Sequence, residues 1–225
     1  MYSKATYLLV MIGKKIIVGL LVISSLAGYA LPNVDKFEGS INLKRETIYD
    51  TTFVTIRVKK NLVRLDEYDN HKNIVSTYII NLDNENVLAL SPSKKLFYEL
   101  KTNRLMDHNL EDTVVIKTQN KIVLEGKSCC QMRVKCKSQD TEVAFWVTEN
   151  NFDFFTTMNR ILKKVKPDID FFNYFPNVQG IFPMLIVERT LLRKEKQKVL
   201  VTAIQKSHLN EALFKVPLGY QKIVQ

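Results

Sequence analysis

The strongest constraint on this chain is a run of short apolar-alternating segments, each closed by polar turn residues, that recurs at nearly constant spacing from Phe37 to Val147. The segments are rich in Val, Ile, Thr, Tyr and Phe, which favour a pleated, half-buried surface. Expected strands cover Phe37–Thr47, Phe53–Lys59, Leu62–Glu67, Ile74–Leu82, Val87–Leu90 and Lys95–Leu100. After a polar loop around Asp107 to Asp112 they resume at Val114–Thr118, Ile122–Leu124, Cys130–Lys137 and Glu142–Val147. Lys60-Asn61 reads as a tight hairpin, with Leu62 and Val63 facing opposite ways. Such a meander predicts one large antiparallel sheet, curved or partly closed.

The rhythm breaks at Asn150. Phe154, Phe155, Met158, Ile161, Leu162 and Val165 recur at three- and four-residue steps, predicting an amphipathic helix from Asp153 to Val165 that Pro167 ends. Asp168 can cap a second short helix carrying Ile169, Phe171, Phe172 and Phe175, stopped by Pro176. Two closing strands, Pro183–Arg193 and Lys198–Lys206, flank a charged turn at Lys194 to Gln197, and a short helical turn follows at Asn210–Phe214. The fold class is therefore mainly β with α: a curved, unclosed antiparallel half-barrel whose covering helices are inserted before the last strands.

The leader has the order of a cleavable export signal. Lys14 and Lys15 precede the apolar run Ile16 to Val22, and small residues follow up to Ala30, so residues 1–30 are expected to be removed and residues 31–225 to form one domain. An apolar stretch upstream of the lysines lengthens the leader, so Met1 and Met11 both stand as starts. An uncleaved anchor needs roughly 20 consecutive apolar residues, and the lysines split the run into shorter pieces. The position where a lipoprotein box would require cysteine holds Tyr29. The mature chain is thus expected in the periplasm or outside the cell, with no transmembrane anchor.

Losing Lys4, Lys14 and Lys15 lowers the net charge from +10 to about +7, still favouring anionic surfaces. The lysines are scattered, which reads as a solvated face; contact with a membrane surface stays open, and no nucleic-acid motif is present. Cys129, Cys130 and Cys136 are the only cysteines. On one strand Cys130 and Cys136 would lie about 20 Å apart, too far to bond. Buried small hydrophobes are their expected role.

Enzyme signatures are absent from the sequence: no Gly-x-Ser-x-Gly elbow, no His-Glu-x-x-His, no phosphate-binding glycine loop and no Cys-x-x-Cys. His71, His108 and His208 are isolated, and the adjacent acids Asp66-Glu67 and Glu111-Asp112 diverge if extended. No catalytic residue, metal site or cofactor is expected, and the chain is not read as an enzyme.

The unusual feature is aromatic. Phe152, Phe154, Phe155, Phe171, Phe172, Tyr174, Phe175 and Phe182 crowd into the helical region. Two readings stay open. The rings are core covering a concave sheet, or they form a lid over an apolar hollow with room for an acyl chain.

Phe37-x-Gly39-x-Ile41, Lys117-Thr118 with Ile122, Gly126-x-x-x-Cys130, Glu142-Val143 leading to Trp146-Val147-Thr148, and the closing Leu213-Phe214-x-Val216-Pro217-x-Gly219-Tyr220 resemble an exported bacterial family, domain of unknown function 4412. That family is similar in fold to periplasmic lipoprotein carriers of the LolA and LppX type. The resemblance implies an unclosed antiparallel barrel around helices and a lipid or lipoprotein-acyl carrier. Trp146, Phe154, Phe155, Met158, Leu162, Phe171, Phe172 and Phe175 would then line or cap the hollow. The alternative is a cell-envelope module that holds a protein partner, with no small-molecule ligand.

Overall fold

A computed structural model describes residues 36–101, 113–149, 152–165, 170–176 and 178–223. The expected leader, the polar loop at 107–112 and the proposed cap at Asp168 lie outside the described residues.

Twelve strands form one sheet among the described residues. They are β1 (Gly39–Thr47), β2 (Thr51–Lys59), β3 (Leu62–Tyr68), β4 (Ile74–Asn81), β5 (Asn86–Ser91), β6 (Leu96–Leu100), β7 (Thr113–Leu124), β8 (Lys127–Cys136), β9 (Thr141–Glu149), β10 (Ile181–Arg189), β11 (Glu195–Lys206) and β12 (Gln221–Lys222). Their order across the sheet is β12-β6-β5-β4-β3-β2-β1-β11-β10-β9-β8-β7. Every pairing is antiparallel except β12 on β6. The sheet is open and curved, with β12 and β7 at its two edges.

Two meanders make up this order. From β1 the chain steps outward by hairpins to β6, and from β7 it steps back inward to β11, which pairs with β1. Gly39 sits in that seam opposite Lys206, with φ +147°, and a Cβ there would collide with the Gln205 carbonyl oxygen. Only glycine fits so close a backbone approach. With glycine scarce, the hairpin turns put Lys60, Glu85, Lys95, Glu125, Asp140 and Arg193 into left-handed conformation, at a cost of roughly 1–2 kcal/mol per residue.

Strand alternation sends Ile41, Leu43, Val54, Ile56, Val58, Val63, Leu65, Tyr78, Ile80 and Val87 to one face, where they join a single buried cluster. Helix α1 (Asp153–Val165) lies on this face and contributes Phe154, Phe155, Met158, Ile161 and Leu162 to the same cluster. On the other face Asp66 is 1 % exposed and takes up Arg57, Arg64 and the Thr77 hydroxyl, while the Arg64 guanidinium also donates to the Leu213 carbonyl at 2.8 Å. That carbonyl belongs to a 3₁₀ turn, Glu211–Phe214, begun by the Asn210 side chain accepting from the Ala212 amide.

Three local expectations are corrected. Residues 114–118 and 122–124 belong to one strand, β7, whose register slips between Lys117 and Lys121 instead of breaking. The turn before β11 falls at 190–194, where the Thr190 amide donates to the Lys194 carbonyl and Arg193 takes positive φ, so Glu195 to Gln197 are already strand. The described part of the expected second helix, 170–176, is a pair of consecutive turns closed by Asn173 donating to Asp170 and Phe175 to Phe172. A segment this short before Pro176 cannot offset helix nucleation.

Candidate functional site

The site is the space between α1 and the sheet. Asp153 in the first turn of α1 and Lys163 and Lys164 in the last complement the helix dipole. The outward face is fastened at several points. Lys164 and Arg160 both pair with Glu85 in the β4–β5 turn, the former at 2.6 Å. These two partners, Lys164 first, hold the Glu85 carboxyl below its ordinary range. Thr156 donates to the Val178 carbonyl at 3.0 Å, and the Lys163 ammonium donates to the Phe175 carbonyl at 2.8 Å. Burial of Lys163 lowers its pKa.

Beneath the helix the rings interlock. Phe155 meets Phe172 at 4.9 Å, Phe175 at 5.1 Å and Phe182 at 4.9 Å between centroids, all near edge-on. Phe145 of β9 meets Phe175 at 5.1 Å, and Phe152 meets Phe182 at 4.9 Å. These are the separations at which the quadrupoles of aromatic pairs attract. Arg45 on β1 pins the 170–176 segment from the sheet: its guanidinium lies 5.9 Å over the Phe171 ring, contacts Asp170 at 3.2 Å and donates to Gln197 at 2.9 Å.

Of the eight residues expected to line or cap a hollow, only Phe154 lines the cavity at the N-terminal end of α1, and all eight lie in or against the packed cluster. Phe154, Phe155, Met158, Leu162, Phe171, Phe172 and Phe175 are buried members, and Trp146 on β9 is half-buried against them. Sequence reasoning missed Asn159, which is buried on the same helix with no partner for its Oδ1 among the described residues. Its position between Phe155 and Leu162 on the apolar face was the available signal.

It also missed a cavity of 680 Å³ at the N-terminal end of α1, lined by Lys36, Phe37, Glu38, Lys60, Asn61, Leu82, Asp83, Asp153, Phe154 and Thr157. These residues come from the segment before β1, two hairpin turns and the helix, so no local pattern could join them. Phe37 and Phe154 stack at 5.8 Å in its wall and both belong to the core cluster, against which Leu82 also packs. The cavity is thus apolar where it meets the interior and polar elsewhere, with lysines and carboxylates both present.

The titratable groups weighed from the sequence do not converge. His71 lies in the 69–73 turn and His208 contacts Glu38 at 3.1 Å on the surface, while Asp66 and Glu67 face opposite sides of β3. His108, Glu111 and Asp112 lie outside the described residues. Among the described residues no three His, Cys, Asp or Glu side chains gather as metal ligands, and no helix is long and apolar enough to cross a membrane. The three cysteines carry thiols; Cys129 and Cys136 are buried as expected, but Cys130 is exposed. Burial raises the Cys129 pKa.

Comparison with known proteins gives a match over residues 37–220 to the family described as Domain of unknown function (DUF4412). No curated protein matches. Among solved structures, an uncharacterized conserved protein from Thermus thermophilus is 9% identical with TM-score 0.47, covering 83% of this chain and 90% of that one. The MucA/MucB complex of Pseudomonas aeruginosa gives 9% identity and TM-score 0.47, covering 83% of this chain and 58% of its counterpart. A putative outer membrane lipoprotein-sorting protein domain from Vibrio parahaemolyticus gives 6% and 0.31, with 78% and 87% covered. Similarities of this size carry nothing about activity.

Proposed function

Starting from the fact that the chain belongs to the family Domain of unknown function (DUF4412), whose description assigns no activity, we propose that it is an exported lipid or acyl-chain binding protein of the periplasm. The observation that carries this reading is the 680 Å³ cavity whose inner wall, Phe37, Phe154 and Leu82, is continuous with the aromatic interior under α1. Ligand pockets are clefts of roughly 300–1,000 Å³ with apolar walls and a few polar groups that fix orientation.

An acyl chain entering here lies along the Phe37–Phe154 stack while its polar end stays among Lys36, Lys60, Asp83 and Asp153. Each methylene buried contributes about 0.8 kcal/mol, so a long chain needs no strong polar motif to bind. Lining of both signs suits a neutral or zwitterionic headgroup better than a strongly anionic one. Trp146, Phe155, Met158, Leu162, Phe171, Phe172 and Phe175 pack behind the cavity wall and support Phe154, which lines it. No step of chemistry is required of any side chain.

The test is native mass spectrometry of the purified protein after gentle extraction, followed by titration with a fluorescent fatty acid. A copurifying lipid and saturable binding are expected, and Thr157→Trp, which fills the cavity from an incompletely buried helix position, abolishes both while leaving the fold intact. Absence of any bound lipid together with no fatty-acid binding refutes the proposal, as does undiminished binding by the folded Trp variant.

A further inference from the structure

The two edges of the sheet are treated differently. The β6 edge is covered by the C-terminal strand β12, which pairs through the Gln221 amide to the Lys95 carbonyl at 2.9 Å and the Ile223 amide to the Phe97 carbonyl at 2.8 Å. Among the described residues the β7 edge pairs with β8 on one side only, and none of its residues is buried. Val114, Val115, Ile116 and Val123 are 52, 48, 38 and 72% exposed. A long apolar edge strand is a template for another strand.

The edge is divided. Lys117 pairs with Met132 and Lys121 with Cys130, so Thr118, Gln119 and Asn120 stand against Gln131 alone. Gln131 holds this bulge in place, its Oε1 accepting from Asn120 at 2.9 Å and from the Thr118 hydroxyl at 3.1 Å. A bulge limits pairing, which leaves Thr113–Lys117 as the regular stretch, with Lys117 at its end and Lys121 beyond the bulge.

Charge chooses the occupant. The sequence from Thr113 to Leu124 contains no carboxylate, and Lys117 and Lys121 are exposed with no ion pair among the described residues. The carboxylates on the neighbouring strands are Glu142, already shared by Arg133 and Lys135, and Glu149 at the far end of β9. A second copy of the chain brings the same two lysines and the same positive net charge, so it is matched poorly.

We infer that the β7 edge receives an extended acidic segment of a partner protein as an added strand. Its backbone pairs along Thr113–Lys117, its alternate apolar side chains cover Val115 or Val114 and Ile116, and its carboxylates meet Lys117 and Lys121. Main-chain hydrogen bonds supply affinity in this mode and the side chains supply selection. The inference is independent of the cavity at the N-terminal end of α1 and stands or falls without it.

The probe is a short labelled peptide alternating valine with glutamate, compared by fluorescence anisotropy with a version N-methylated on alternate amides and with a valine–lysine peptide. Wild type binds the acidic peptide, and raising salt weakens it. The N-methylated version, and the double variant Lys117→Glu with Lys121→Glu, each weaken binding at least about tenfold, and the double variant prefers the valine–lysine peptide. Both lysines are exposed, so circular dichroism of the variant should match wild type. No binding, equal binding of the N-methylated peptide, or equal binding by the folded double variant overturns the inference. So does sedimentation showing a wild-type dimer that the double variant alters, since the edge would then be occupied by a second copy.

Discussion

Replacing Phe155 with alanine removes a ring with no exposure that touches the rings of Phe172, Phe175 and Phe182 at once. A buried phenylalanine hides about 150–250 Å², which at roughly 25 cal/mol per Å² is an upper bound of about 4–6 kcal/mol. Alanine keeps the Cβ and the surroundings relax only in part, so the expected loss is about 3–5 kcal/mol. That is a large share of the roughly 5–15 kcal/mol that holds a domain folded. Urea unfolding followed by fluorescence of Trp146, the chain's only tryptophan, reads the change without a label. With a slope of about 1–3 kcal/mol per molar, the midpoint falls by at least about 1 M while the slope stays constant. Phe155→Leu keeps most of the volume and costs under about 2 kcal/mol. A loss below about 1 kcal/mol for the alanine variant, outside the range for buried aromatics, would show that α1 is not packed against the sheet as described, and the reasoning about the interior would fail with it.

Four further outcomes follow from the same structure. Glu85→Gln removes the partner of Lys164 and Arg160 and costs about 0.5–1 kcal/mol at neutral pH. Because the folded-state pKa of Glu85 lies below its unfolded value, that contribution is present above the ordinary glutamate range and disappears as pH falls through the lowered pKa. Wild type and variant should therefore converge in acid, and a pH-independent difference in urea midpoints would sink the assignment. Gly39→Ala drives a Cβ into the Gln205 carbonyl and costs about 2–5 kcal/mol from strain and crowding. Gly126→Ala, with open space around it, costs about 1–2 kcal/mol for its positive φ alone; equal thermal shifts for the two would contradict the seam geometry. Maleimide at neutral pH should label Cys130 alone in the folded protein, with Cys129 and Cys136 reacting only in denaturant; mass spectrometry that finds Cys129 modified first would be inconsistent with its burial. Asn159→Leu removes a buried acceptor that has no partner among the described residues and should raise stability by about 1–3 kcal/mol, whereas a lowered urea midpoint would mean that Asn159 has a partner it depends on.

What the residues themselves determined is the set of pieces. Alternation along Phe37–Thr47 or Phe53–Lys59 is a period-two signal contained in each segment, and the steps from Phe154 to Leu162 are a helical signal contained in one turn after another. That is why strands, the helix and the inward direction of its aromatic face were legible without coordinates. Assembly was not. Gly39 meets Lys206 and β1 joins β11 through competition among many possible strand edges, which no local period encodes. The 170–176 segment carries helix-like spacing but forms turns, and Arg45, from a strand more than a hundred positions away in sequence, contacts it at Asp170 and Phe171. The cavity wall, the capped β6 edge and the β7 edge, unpaired among the described residues, are likewise products of which strands ended up outermost. Local periodicity fixes which way a side chain faces; only the closed set of pairings fixes what it faces.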